Sequence, residues 1–352
     1  MAAGDFTPSV LLKAQAPLSD VFQEPNSSDS TFNAPYEVAR ALLANQTASM
    51  DDLLTGNNCT GVRLYFMRGN STSTLSAPDC ATPTGPYGES FYKDYSNSIL
   101  VGRTVKFRDD RCNNEIDFTR EQSYQMRLLL SKLRTDLATV GTTKMAAWSQ
   151  ANLDPGIPAS WDDTSETPRI LMPLAEANWQ SIGQMEATAQ NNYFDNYFFI
   201  SGRGGFFQDR WEAKFRRLND NERSNEAAYL DMGLWYQDIR NLDAALGYSA
   251  AFAVNRNNYA FWNATFSPSI PTEQETNTWV YTMADPELKY MKNGRLVPVM
   301  YEIETTKVCL NRDAPSTKKV YEWVTWGRLL GGLENAPVGV NGENATLQWK
   351  IV

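Results

Sequence analysis

The clearest periodic pattern in the chain predicts one long amphipathic helix. Across residues 119–140, apolar side chains recur at steps of three and four, which places them on one face of an α-helix. Thr119 and Gln122 have the spacing of a capping box at its start, and Gly141 is predicted to end it. At 1.5 Å per residue this helix would be roughly 33 Å long. Its apolar face consists of Met126, Leu129, Leu130, Leu133, Leu137 and Val140.

Residues 1–60 are interpreted as an N-terminal arm. They are rich in Pro, Ser, Asn and Asp, and they carry one short helical pattern at residues 36–54. The apolar positions of that pattern are Val38, Ala41, Leu42 and Leu43. Such a segment has little core of its own, so we expect packing on something else to order it.

Residues 61–118 are predicted to form an extended hairpin. Strand-like runs at 62–67 and 99–107 lie on either side of a Thr/Pro/Gly-rich stretch at 71–88, which is typical of a loose hairpin tip. An isolated hairpin is marginal in water, so this segment also needs a surface to pack on.

The region after the long helix starts with a polar linker containing three prolines. Helical patterns follow at 174–190 and 224–246, separated by an aromatic run at 193–200 and a glycine loop at 202–205. Gly247 is the expected C-cap of the second helix.

The C-terminal part of the chain turns to strands. Asn293-Gly294 is a type I′ hairpin signal. Val297, Val299, Tyr301 and Ile303 alternate with a second set that includes Met300, Glu302 and Glu304, which is typical of a strand. Further strands are predicted at 320–326 and 347–352. The last of these places three residues on one face: Leu347, Trp349 and Ile351.

Composition indicates a soluble protein with a sizeable core. The 352 residues are 42% hydrophobic, which is enough for one large domain or two smaller ones. The net charge of -9 opposes general binding to phosphate or anionic lipid. The start of the chain has no signal-peptide pattern, and no stretch has the roughly 18 apolar residues that a membrane span needs.

The chain contains no histidine, which excludes Ser-His and Cys-His nucleophile pairs and H-E-x-x-H zinc sites. Three pairs of adjacent aspartates could supply a carboxylate or cation site, but adjacent side chains diverge and no calcium-loop pattern surrounds them, so solvated turns are favoured. The pairs are Asp51 with Asp52, Asp109 with Asp110, and Asp162 with Asp163. We predict no catalytic residue, no cofactor-binding residue and no metal ligand.

The cysteines and the glycosylation sequons do not indicate a disulfide-bonded or secreted protein. No two cysteines have C-x-x-C spacing, so reduced thiols are expected, with a bridge between the first two as the alternative. The cysteines are Cys59, Cys80, Cys112 and Cys309. Six Asn-x-Ser/Thr sequons reflect the composition, because a secretory context is missing. They begin at Asn26, Asn45, Asn58, Asn70, Asn263 and Asn344.

Three short motifs resemble functional ones. Ser316 and Lys319 have S-x-x-K spacing, but a strand follows where a helix is needed. The 202–205 glycine loop has Phe207 at the third position of a dinucleotide fingerprint, where a bulky side chain blocks close approach. The basic and aromatic residues of 211–217 could contact nucleic acid, although a solvated helix face with buried aromatics is favoured.

The order of segments resembles the major capsid proteins of tailed bacteriophages with the HK97-type fold. The local similarity is best at residues 242–255 and 258–262, which resemble the helix, central strand, Asn-ended turn and next helix of that family's axial domain. The resemblance implies an α+β fold with an N-terminal arm (1–60), an extended loop (61–118), a spine helix with the following segment (119–150) and an axial and peripheral α/β region (151–352).

That resemblance also implies a function. The chain would be a shell subunit rather than an enzyme, made in the host cytoplasm and located in the virion. It would associate with itself in pentamers and hexamers, contain double-stranded DNA without reading its sequence, and meet a separate scaffold, portal or decoration protein. Two alternatives remain open: another virion component, such as a tail or carbohydrate-binding protein that uses the aromatic surplus, and a carboxylate-based hydrolase.

Overall fold

A computed structural model of the chain shows a mixed α/β architecture, as predicted at that coarse level. The structure describes residues 36–46, 61–68, 89–109, 115–149, 160–161, 169–174, 179–192, 194, 196–202, 234–238, 241–265, 269, 271–275, 277–309, 321–335 and 346–352.

Four helices occur in these ranges, and they lie between or beside the sheets. They are α1 (Glu37–Asn45), α2 (Glu115–Trp148), α3 (Trp179–Asn191) and α4 (Asn241–Leu246).

The described strands form a two-stranded hairpin and two six-stranded sheets. The hairpin pairs β1 (Gly61–Arg68) with β2 (Glu89–Ser96). The antiparallel sheet has the order β10-β11-β12-β13-β3, with β9 also paired to β13. Its strands are β3 (Ser98–Asp109), β9 (Tyr259–Asn263), β10 (Thr272–Glu275), β11 (Thr278–Lys292), β12 (Arg295–Cys309) and β13 (Tyr321–Asn335).

The mixed sheet has the order β4-β5-β14-β8-β6-β7. Its strands are β4 (Ser160–Trp161), β5 (Ile170–Met172), β6 (Tyr197–Ser201), β7 (Leu234–Gln237), β8 (Ala250–Asn255) and β14 (Thr346–Ile351).

Two hydrophobic cores cover the two faces of the mixed sheet. Along β8, Phe252 and Val254 join the larger core with α1, α2 and the antiparallel sheet, whereas Ala251 and Ala253 face a smaller core that includes residues of α3. This division follows from the period-2 alternation of a strand. The predicted common face of β14 is confirmed, because Leu347, Trp349 and Ile351 all belong to the smaller core.

The long helix is confirmed, but both predicted ends are wrong: it begins at Glu115, four residues before the predicted capping residue Thr119, and it continues past Gly141. Helix α2 runs from Glu115 to Trp148 and passes through Gly141. A Cβ at that glycine would lie 2.8 Å from Cδ1 of Leu42 on α1, closer than carbon atoms pack. Glycine is therefore present because α1 crosses α2 here, and the helix tolerates its cost of about 1 kcal/mol.

The predicted turn at Asn293-Gly294 and the predicted C-cap at Gly247 are confirmed by the backbone. Asn293 and Gly294 have φ of 48° and 72°, and they join β11 to β12 as a type I′ hairpin requires. Gly247 follows α4 with φ of 76°, which matches a left-handed C-cap.

Three of the predicted helices differ in the structure. The helix expected over 224–246 is shorter, because β7 pairs in parallel with β6 before α4 begins. The helix predicted on 174–190 starts later, at α3. The helix that the resemblance implied at 258–262 is the strand β9.

The predicted hairpin exists, but with a different second strand. The run at 62–67 lies in β1, whose partner is β2, whereas the run at 99–107 lies in β3 and pairs with β13 in the antiparallel sheet. The expected loose tip at 71–88 and the end of the helical pattern at 47–54 lie outside the described residues.

Two of the six sequons lie where a glycosyltransferase cannot reach them. Asn45 is 8% exposed and Asn263 is fully buried. The Asn263 amide donates to the Met300 carbonyl, and its oxygen accepts from the Thr265 backbone N–H. No helix among the described residues is long and apolar enough to cross a membrane.

Candidate functional site

The β1–β2 hairpin forms a sheet of its own, separate from both six-stranded sheets. Its register runs from Gly61 opposite Ser96 to Arg68 opposite Glu89. Among the described strands, β1 and β2 pair only with each other. At about 3.3 Å per residue, the eight paired positions extend roughly 26 Å. The hairpin therefore gains no ladder hydrogen bonds from the described sheets.

The base of the hairpin is fixed by aromatic and polar contacts. Tyr95 on β2 is 4% exposed, and its ring meets the Trp262 ring edge-on with a centroid distance of 5.7 Å. The Tyr95 hydroxyl donates to the Asn335 carbonyl at 3.4 Å. Burial, followed by the negative charge of Glu334, raises the pKa of Tyr95 to about 12.

A groove of about 410 Å³ lies beside this base, between the hairpin end, α2 and β13. Ile99 lines it and is 50% exposed, although it is a large apolar side chain. Asp94 and Glu334 line it as well, so the groove contains two carboxylates. Glu334 accepts a charge-assisted hydrogen bond from the Lys144 ammonium at 2.7 Å. Of these two carboxylates, Glu334 is therefore held in an ion pair within the chain.

A buried polar cluster holds α2 against a bulge in β11. The Asp285 carboxylate accepts hydrogen bonds from Nε and a terminal nitrogen of Arg134, at 2.9 and 2.6 Å. It also accepts from the Tyr301 hydroxyl at 3.0 Å and from the backbone N–H groups of Glu287 and Leu288, both at 2.8 Å. The Asp285 side chain is fully buried and that of Arg134 is 9% exposed, so this is a desolvated ion pair with its lone pairs satisfied.

Tyr36 extends the cluster to the start of α1. Its hydroxyl donates to Glu287 at 2.7 Å, and Arg134 lies 5.3 Å from the centre of its ring. Burial, together with the hydrogen bond to Glu287, raises the pKa of Tyr36 to about 12. Burial lowers the pKa of Arg134, but the hydrogen bond and charge of Asp285 outweigh it, so its pKa is raised. Burial and the Asp285 charge raise the pKa of Tyr301 well above its ordinary value.

The rest of α1 is docked in the same chain. Val38, Ala39 and Leu42 are fully buried. At the end of the helix, the Gln46 amide oxygen accepts from the Phe261 N–H at 2.6 Å, and its nitrogen donates to the carbonyls of Phe261 and Met291. The arm was expected to depend on packing outside itself, and this part of it packs on the body of its own chain.

Most motifs singled out in the sequence lie outside the described residues. These are the S-x-x-K spacing, the basic and aromatic stretch at 211–217, three of the four cysteines and all of the aspartate pairs except Asp109. Cys309 is the last residue of β12 and is partly exposed. Gly202 alone of the glycine loop is described, and a Cβ there would overlap the Asp243 carboxylate, which explains the glycine without a nucleotide. Within the described ranges, no group of three acidic or cysteine residues could hold a metal ion.

The chain is similar to chains of solved phage capsid structures. One is the capsid of cyanophage P-SCSP1u, with 10% identity, 99% of each chain covered and a TM-score of 0.43. A second is the capsid asymmetric unit of cyanophage Pam1, with 9% identity, coverage of 83% of this chain and 84% of that one, and a TM-score of 0.44. A third is the capsid of myovirus XM1, with 7% identity, coverage of 85% and 88%, and a TM-score of 0.38.

No family model and no curated protein matches the sequence.

Proposed function

We propose that the chain is the structural subunit of a bacteriophage shell, a major capsid protein that associates with itself around packaged double-stranded DNA. The finer architecture in this proposal is the HK97-type fold, with β1–β2 as its extended loop and α2 as its spine helix. The subunits form pentamers and hexamers in the virion, after synthesis in the host cytoplasm. A separate scaffold, portal or decoration protein is a further partner, and the chain has no catalytic role.

The observation that carries this proposal is the hairpin that belongs to neither six-stranded sheet. A two-stranded hairpin is marginal in water by itself, and this one is anchored through Tyr95 at its base. A surface on a neighbouring copy would give the hairpin a packing partner along its length. Such a contact joins two different patches, and repetition of a head-to-tail contact closes rings when the rotation is suitable.

The charge balance is compatible with a container for DNA. A net charge of -9 gives the subunit little general affinity for phosphate. DNA inside the shell would then be confined by the wall and not held by it.

Electron microscopy and light scattering of the purified chain test the proposal. Closed particles of uniform diameter support it, and a chain that stays monomeric under all assembly conditions contradicts it. A variant, Ile99→Glu, places a charge at the exposed apolar position beside the hairpin base and should abolish particles while the unfolding midpoint of the subunit is unchanged. Val308→Glu is the matched control, because Val308 is an apolar residue of similar exposure, 41%, at the end of β12.

A further inference from the structure

On the C-terminal side of the hairpin, a single residue, Asn97, joins β2 to the antiparallel sheet. It lies between Ser96, the last residue of β2, and Ser98, the first residue of β3. These two strands belong to different sheets, so the backbone angles near Asn97 determine the direction in which the hairpin leaves the body. At a length of roughly 26 Å, a rotation of about 10° at the base moves the far end by about 5 Å.

Trp262 on β9 holds this connection through two contacts. Its indole N–H donates to the Asn97 side-chain oxygen at 2.8 Å, and its ring packs edge-on against Tyr95. Trp262 is fully buried, so the hydrogen bond also satisfies a polar group that would be costly to leave without a partner.

Two glycines of β13 form the notch that receives Trp262. A Cβ on Gly331 would overlap the Trp262 carbonyl oxygen, and one on Gly332 would overlap the indole ring. Gly331 also has φ of 153°, a backbone conformation that favours glycine. The indole therefore has little room to shift, and the position of its N–H is fixed relative to the antiparallel sheet.

We infer that Trp262, seated in the notch of Gly331 and Gly332, is a positioning residue that fixes the direction of the β1–β2 hairpin through Asn97, and so sets the angle between neighbouring subunits. The first half of this inference, that Trp262 fixes the direction of the hairpin, concerns the unassembled chain and is measurable without assembly. The second half, that this direction sets the angle between subunits, rests on the proposed function.

Two pairs of variants separate the hydrogen bond from general packing. Asn97→Ala removes the acceptor, whereas Asn97→Asp keeps an acceptor oxygen at the same place. Trp262→Phe removes the donor and keeps an aromatic ring, with Trp349→Phe as the matched control in the smaller core, where Trp349 is 1% exposed.

Hydrogen exchange on the unassembled chain reports the first half. Amides of residues 95–101 should exchange about fivefold faster in Asn97→Ala and Trp262→Phe, the factor expected for one lost hydrogen bond. Asn97→Asp and Trp349→Phe should exchange like the wild type in this segment. Unchanged exchange in both Asn97→Ala and Trp262→Phe overturns the inference.

Particle diameters measured by electron microscopy report the second half. Mixed or aberrant diameters in Asn97→Ala, with uniform ones in Asn97→Asp, support control of the intersubunit angle. If Asn97→Ala exchanges faster but still forms particles of uniform wild-type diameter, the contact does not set the angle between subunits, and the proposed function is unaffected. If the wild type forms no particles, the proposed function fails together with this second half, and the exchange result still decides whether Trp262 holds the hairpin.

Discussion

Replacing Asp285 by asparagine keeps the shape of the side chain but removes its charge. The fully buried carboxylate accepts hydrogen bonds from Arg134, from the Tyr301 hydroxyl and from the backbone N–H groups of Glu287 and Leu288. Asparagine offers one acceptor oxygen, and its NH₂ group would face donors. Breaking a buried pair by removing one partner costs about 3–5 kcal/mol. We expect the lower end, about 3 kcal/mol, because Arg134 keeps its contact with Glu287.

The matched control is Glu287→Gln, in the same cluster. The Glu287 side chain is 59% exposed, so solvent screens its interaction with Arg134, and the change should cost at most about 1 kcal/mol. Urea unfolding followed by tryptophan fluorescence measures both variants against the wild type. A cost below about 1 kcal/mol for Asp285→Asn, or equal costs for the two variants, would refute the assignment of the stabilisation to the buried carboxylate.

A double replacement shows whether the charge pair alone is responsible. In many proteins, exchanging a buried ion pair for apolar residues is neutral or stabilising. Here Arg134→Met with Asp285→Leu should remain destabilising. The Tyr301 hydroxyl and two backbone N–H groups would still lose their acceptor, at about 1–3 kcal/mol for each buried group. Recovery of wild-type stability would show that these three hydrogen bonds contribute little.

The remaining predictions concern single positions. Gly141→Ala should destabilise the chain by about 1–3 kcal/mol, because the new Cβ meets Leu42, although alanine is the better helix former. In urea unfolding, the double variant with Leu42→Ala should lose less stability than the sum of the two single variants. Strictly additive losses would contradict the clash. The free energy of unfolding should fall as the pH rises from about 10 to about 12, because burial and the hydrogen bond to Glu287 raise the pKa of Tyr36 to about 12 in the folded chain. The stability that Tyr36 contributes is complete below the pKa of an unfolded tyrosine and is lost as the folded hydroxyl ionises. Tyr36→Phe should lose less stability over that range, and parallel curves for the variant and the wild type would contradict the prediction. Gly294→Ala should cost about 1 kcal/mol in thermal unfolding through its φ of 72° alone, since a Cβ there has nothing within 4 Å, and Gly294→Asn should cost less.

Local chemistry predicted those features that depend on a few neighbouring residues. The turn at Asn293-Gly294 and the cap at Gly247 follow from the backbone angles that these residues adopt readily. The apolar face of α2 follows from its spacing, and Leu129, Leu133 and Leu137 are each at most 1% exposed. These elements would be recognisable in any chain with the same short segments.

Pairing between distant segments decided the features that sequence reasoning missed. Gly141 was predicted to end the long helix, but it is the position on which α1, about a hundred residues earlier, packs. Leu234 has helical spacing with the residues after it, yet it lies in a strand paired with Phe198 of β6. The Asp285 cluster carries no local signal, since Arg134 lies 151 residues away.

The arm and the hairpin were expected to need the same kind of help, and the structure separates them. Helix α1 buries its apolar residues in its own chain and is tied to it by Tyr36 and Gln46. Its ordering therefore requires no second copy. The β1–β2 hairpin is held to the body by Tyr95 and Asn97 at its base, and its strands pair with neither six-stranded sheet. If self-association stabilises any described part of this chain, it acts most on the hairpin. A variant that disturbs α1 should thus be scored by unfolding of the isolated subunit, and one that disturbs the hairpin by the particles it forms.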